Sequence, residues 1–153
     1  MSVRGWAGAA AVVALAAAWS MAASGQNRQA RNVGANGVAV QGYDVVAYRT
    51  DGAAVKGRVE FEYRWQGAIW RFASAAHRDR FAGSPDDFAP QFGGYCAWAV
   101  SRGYTADIDP EAWRIVDGRL YLNYSRRVQR MWEQDIAGNI AKGRMNWPGV
   151  VTR

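Results

Sequence analysis

The strongest pattern along the chain is an alternation in "RVEFEYRWQGAIWRFAS". Val59, Phe61, Tyr63 and Trp65 interleave with Glu60, Glu62 and Arg64. A two-residue period predicts a strand with one apolar face. Gln66-Gly67 predicts the turn, and Ile69 to Ala73, rich in β-formers, the returning strand. "WRIVDGRLYLNYS" predicts a second hairpin about Asp117-Gly118, a favoured two-residue turn pair. A shorter alternation at Val38 and Val40 predicts a brief strand before Gly42, and "TDG" at Thr50 to Gly52 a turn.

Between these runs the period lengthens. Ser74 is a good N-cap for "AAHRDRFAG", which Gly83 ends. Ser84-Pro85-Asp86-Asp87 restarts a helix, with Pro at its first position and acids in its first turn. Gly93-Gly94 breaks the chain, and "YCAWAVSRG" predicts a short helix closed by Gly103. Ser125 caps a helix that places Val128, Met131, Trp132 and Ile136 on one face. Asp135 begins a further segment toward Ile140, and Pro148 closes the structured chain. No internal repeat is visible in the letters. Strands and short helices fall into blocks, which predicts a small α+β domain of β-hairpins with short helices and a C-terminal helix.

The first residues follow another pattern. Arg4 precedes an apolar run from Trp6 to Trp19, and the small residues Ser20, Ala22, Ala23 and Ser24 follow. That order predicts a signal peptide over residues 1–24 and an exported, periplasmic location, or a membrane tether if the segment stays uncleaved. Residues 25–36 are polar and predict a flexible leader, 37–148 the domain, and 149–153 a tail. No segment after the signal is apolar enough to span a bilayer.

The formal charge is +6, with basic residues scattered except at Arg126, Arg127 and Arg130. Export and scatter argue against nucleic acid as a partner. The chain has one cysteine, Cys96, and one histidine, His77. It therefore has no Cys-x-x-Cys dithiol and no covalent haem motif. A phosphate-cradling glycine loop and a paired-histidine zinc motif are also absent, so no nucleotide is expected.

Three polar residues remain as candidates for chemistry. Cys96 follows "GGY" at the start of a predicted helix, where a thiolate is favoured as nucleophile or soft-metal ligand. Its plain alternative is a buried apolar thiol. Asp44, in "GYDVV", is a metal-ligand candidate or a helix cap. His77 is a further ligand candidate, or a surface residue beside Arg78 and Asp79. Tyr43, Tyr48, Tyr95, Trp98 and Tyr104 either line a pocket or fill the core; Tyr43, Tyr95 and Trp98 are the leading pocket candidates.

The blocks "VQGYDVVAY", "FEYRWQGAIWRFASAAHRDRFAGSPDDFAPQFGGYCAWAVSRG", "DPEAWRIVDGRLYLNYS" and "WEQDI" resemble the exported bacterial YHS-domain proteins, over nearly the whole stretch from Gly37 to Pro148. Some members carry selenocysteine at the place of Cys96, which implies a reactive or metal-binding role there. Related domains handle copper or mercury through cysteines. Where metal-binding relatives have a cysteine after the second strand, this chain has Ala73, and His77 stands near the later ligand. The resemblance implies binding of a soft metal ion, copper foremost, through Cys96 with Asp44 and His77 as helpers. The implied partners are a metal ion or an exported redox or metal-handling protein. The alternatives are a thiol redox enzyme using Cys96, and a small-ligand or protein binding module without catalysis.

Overall fold

The structure is a computed structural model and describes residues 30–152. The expected signal peptide lies outside the described residues, as do the first residues of the expected leader. No described helix is long and apolar enough to cross a membrane. Asn32 falls in the stretch expected to be a flexible leader. It is tied down there: its amide donates to the Gly93 carbonyl at 2.8 Å, and its side chain donates to Asp107 at 2.9 Å.

The fold is α+β, as the blocks of pattern predict. Strands β1 (Arg58–Trp65) and β2 (Ala68–Phe72) form one antiparallel hairpin, and β3 (Asp109–Val116) and β4 (Arg119–Asn123) another. The helices are α1 (Ala47–Thr50), α2 (Ala75–Gly83), α3 (Pro85–Phe88), α4 (Ala97–Ser101), α5 (Arg126–Glu133) and α6 (Ile136–Asn146). Both hairpin turns use left-handed backbone, at Gln66-Gly67 and Asp117-Gly118. This hand matches the twist of the strands it joins. Ser74, Ser125 and Asp135 accept amide hydrogen bonds from His77, Val128 and Gly138, so these three are caps in fact, whereas Ser84, also expected to cap, precedes α3 without a side-chain cap hydrogen bond.

Two expectations need correction. Val38 and Val40 form no strand; Val38 makes an isolated bridge to Ile69, and Val40–Gly42 is a tight 3-10 turn with left-handed φ angles. Val59 is exposed rather than on the inner face. The register of β1 slips between Arg58 and Glu62, so the alternation does not run through to the strand's start.

Aromatic packing replaces the disulfides a one-cysteine chain cannot make internally. Phe81 of α2 is fully buried and meets Trp65, Trp70 and Phe72 at ring-centroid distances of 5.6, 5.0 and 5.1 Å. Trp132 of α5 is buried against Tyr121 of β4 at 5.2 Å. Burying each such side chain contributes about 2–3 kcal/mol.

The structure also contains a repeat that the letters hide. Val40, Gln41 and Gly42 have φ of 49°, 51° and 83°, and Phe92, Gly93 and Gly94 have 56°, 61° and 82°. Each left-handed run is followed by a tyrosine in extended backbone, a polar residue and a short helix. An eight-residue strand, a two-residue turn, a five-residue strand, a serine cap and a helix follow in both halves. Ladder contacts repeat too: Ala39 N donates to Ile69 O at 2.9 Å, and Gln91 N to Leu120 O at 2.8 Å. In this correspondence Asp44 matches Cys96, Ala73 matches Tyr124, and His77 matches Val128.

Candidate functional site

Asp44 stands just before α1 and is fully buried. Its Oδ1 accepts the amides of Val46 and Ala47 at 2.9 and 3.2 Å. Its Oδ2 accepts the Ala73 amide at 2.8 Å and meets His77 Nδ1 at 2.7 Å. A carboxylate can only accept, so Nδ1 carries the proton in this contact. His77 Nε2 then faces Thr50 Oγ1 at 3.4 Å. Both oxygens of Asp44 are engaged by donors of its own half. The cap reading of Asp44 therefore holds, and His77 is its partner rather than a free surface residue.

Cys96 occupies the matching place, one residue ahead of α4, as the glycine break predicts. The Tyr124 amide donates to Sγ at 3.3 Å, the counterpart of the Ala73 amide on Asp44. The amides of Ala99 and Trp98, counterparts of Ala47 and Val46, also act on the sulfur. Across from these donors, Asn123 Oδ1 lies 3.7 Å from Sγ, within reach of a thiol proton, and accepts the Trp98 amide at 3.1 Å. Burial pushes the thiol pKa up, and the amides of Ala99, Tyr124 and Trp98 offset this only in part. The thiol is thus protonated at neutral pH.

The two sites differ in their side-chain partners: Asn123 meets Cys96 where the first half has Phe72. Where His77 presents its ring to Asp44, the second half has Val128. A cavity of about 270 Å³ opens beside the sulfur, lined by Cys96, Trp98, Tyr104, Ala106, Tyr124 and Val128 among others. Its size is just under the range of drug-sized ligand pockets. Cys96 is 1% exposed, yet it forms part of this wall.

Among the sequence candidates, the structure joins Asp44 to His77 and gives Cys96 a separate set of neighbours. The sulfur takes its hydrogen-bond partners, Asn123 and Tyr124, from the end of β4, while its side chain shares a buried cluster with Val45, Trp70 and Phe72 of the first half. The reason lies in the repeat: each of Asp44 and Cys96 accepts the amide just beyond the second strand of its own half. Trp98 lines the cavity, with the Arg102 guanidinium 4.0 Å over its ring. Tyr43 is half-buried and bridged to Lys56. Tyr95 stacks on Trp147 at 6.2 Å. Neither of these two tyrosines lines the Cys96 cavity. Asn123 escaped the sequence reading. Its only signal is an amide ending an otherwise apolar strand, "LYLN".

Compared with models of known families, with curated proteins and with solved structures, the chain matches none.

Proposed function

We propose that the protein is a binding module of the YHS type that receives a small ligand at Cys96. The ligand offers the sulfur an N–H donor, as an imidazole or similar heteroaromatic does. One observation carries this reading: Cys96 lies in a cradle of backbone amides that in the other half holds a carboxylate, and a cavity stands in place of the carboxylate's histidine partner. The protonated thiol supports binding over thiolate attack on a substrate. The aromatic wall of Trp98, Tyr104 and Tyr124 suits a flat ligand.

Calorimetric titration with imidazole, and with toluene as an apolar control, tests the reading. Saturable uptake of imidazole by the wild type, lost in Cys96→Ala, is expected. Equal uptake by both proteins, or none by either, overturns it.

A second reading is a soft metal ion, copper foremost, in the same cavity. The amides on Sγ favour it, because they stabilise the thiolate that a metal would create by displacing the proton. The donors Asp44 and His77 are spent on each other, so Cys96 would be the principal ligand. Native mass spectrometry with Ag(I) as a Cu(I) surrogate tests it. Retention of silver by wild type and not by Cys96→Ala supports metal binding; equal retention sinks it.

A further inference from the structure

A second concavity, of about 490 Å³, lies apart from Cys96. Three arginines from distant parts of the chain line it: Arg31 before the first turn, Arg119 at the start of β4, and Arg144 in the last turn of α6. Trp65 and Trp147 supply aromatic walls, and Asp86 is the one acidic residue in the lining. Three guanidinium groups facing one carboxylate leave an excess of positive charge.

None of these arginines makes a side-chain hydrogen bond or ion pair among the described residues. Other arginines of the chain do: Arg58, Arg71, Arg78, Arg114 and Arg126 each meet a carboxylate within 4.0 Å. Arg31 instead sits over aromatic rings, with its Cζ 4.3 Å from the centroid of Trp65 and 5.8 Å from that of Trp70. This cation–π seat leaves the guanidinium donors without an oxygen among the described residues. A partly buried guanidinium in that state has lost water without gaining an acceptor. Burial accordingly lowers its pKa, with Asp86 opposing the shift. Arg119 and Arg144 are exposed, so a ligand can reach them from solvent. Trp147 is held by Phe92 and Tyr95, at centroid distances of 6.3 and 6.2 Å, and makes a fixed wall.

We propose that this groove binds a small aromatic anion. Its carboxylate or phosphate oxygens take the unmatched donors of Arg31, Arg119 and Arg144, and its ring lies against Trp147 or Trp65. Guanidinium groups recognise planar oxyanions through paired N–H bonds, and the flat walls select a ring over a bare ion. The site is independent of the Cys96 cavity.

Isothermal calorimetry on the full chain tests this with phenyl phosphate, benzoate, inorganic phosphate and phenol. Phenyl phosphate or benzoate should bind saturably, whichever is tighter naming the oxyanion, and more tightly than inorganic phosphate or phenol. Arg119→Gln and Arg144→Gln should each weaken binding roughly tenfold, the scale of one charge-assisted hydrogen bond. Arg127→Gln, an exposed arginine outside the groove, should leave affinity unchanged. Cys96→Ala should also bind normally, which separates this site from the other. Raising the salt should weaken binding. The proposal is overturned by no saturable binding of either aromatic anion, by phenol binding as well as they do, or by inorganic phosphate matching them. It is overturned too if Arg119→Gln and Arg144→Gln, folded by circular dichroism, bind like wild type.

Discussion

Asp44 and Cys96, 52 residues apart, occupy the same place in the two halves of the chain. Each follows a left-handed run and a tyrosine, and each accepts the amide just beyond its half's second strand: Ala73 N on Asp44 Oδ2 at 2.8 Å, Tyr124 N on Cys96 Sγ at 3.3 Å. One half completes the arrangement with a histidine. The other leaves a cavity. A fold that needed only a cap at both places would be served by two carboxylates, so the difference falls where a ligand can act.

Asp44 holds its half together, and its removal should be costly. Asp44→Ala strands three buried or half-buried amides and the His77 ring nitrogen. Each unsatisfied donor costs about 1–3 kcal/mol, with partial relief from relaxation. A loss of about 3–5 kcal/mol in urea unfolding is expected, near the upper end for single substitutions. His77→Ala should cost less, because Asp44 keeps its three amides. Equal losses for the two variants would refute this account of the site.

The Cys96 thiol should react slowly with iodoacetamide at neutral pH, and the rate should climb with pH without levelling below about pH 9, the ordinary thiol range. Stability should follow the same group. Its folded pKa is raised above the unfolded one, so the folded state holds the proton longer. The contribution is then fully present below the unfolded pKa and lost as pH rises through the folded pKa. Cys96→Ala should flatten the decline of stability on the alkaline side. A plateau of the alkylation rate near pH 7 would instead reveal a depressed pKa.

A glycine-dependent contact lies between α6 and the left-handed run before Cys96. A Cβ on Gly143 would lie 2.5 Å from Phe92 Cζ and 2.9 Å from Cε2. Gly143→Ala gains about 1 kcal/mol of helix propensity but overpacks a buried ring, which typically costs about 1–3 kcal/mol. A net destabilisation of about 1 kcal/mol is expected in urea. Phe92→Leu in the same chain should reduce that loss. A stabilised Gly143→Ala would show that the ring yields easily.

The hairpins, their turns and the serine caps were legible because each rests on local chemistry: alternation, Asp117-Gly118, a hydroxyl before a helix. The repeat was not legible, because its two copies share backbone conformation and few side chains. Val40-Gln41-Gly42 and Phe92-Gly93-Gly94 have one identical letter, yet they turn alike. Non-glycine residues rarely adopt these φ values, so a valine there reads as strand. The site was half legible. Cys96 and His77 stood out as the one cysteine and the one histidine of the sequence, and Asp44 as a carboxylate between a glycine turn and an apolar run. Their division into two separate cradles depends on which hairpin closes over which residue, a long-range fact without a local signal. Asn123 and the cavity depend on the same closure.

The equivalence of the two halves can be tested by building the missing partner. Val128 and His77 are both the third residue after a serine cap, and their amides donate to Ser125 Oγ and Ser74 Oγ, each at 3.2 Å. The cavity beside Val128 gives an imidazole room. Cys96→Asp alone places a carboxylate in the amide cradle without its neutralising neighbour, and a buried charge left unpaired costs about 3–5 kcal/mol. Val128→His alone loses apolar contact and offers its imidazole N–H to a thiol, a weaker acceptor than a carboxylate. Together the substitutions recreate the Asp44–His77 pair. The double variant should be more stable than the sum of the single effects by about 1–3 kcal/mol, the scale of a charge-assisted hydrogen bond. It should also lose the imidazole binding proposed for the wild type, because the ring of residue 128 fills the ligand's place. Additive single effects, within about 0.5 kcal/mol, would mean that the cavity does not stand where the histidine of the first half stands.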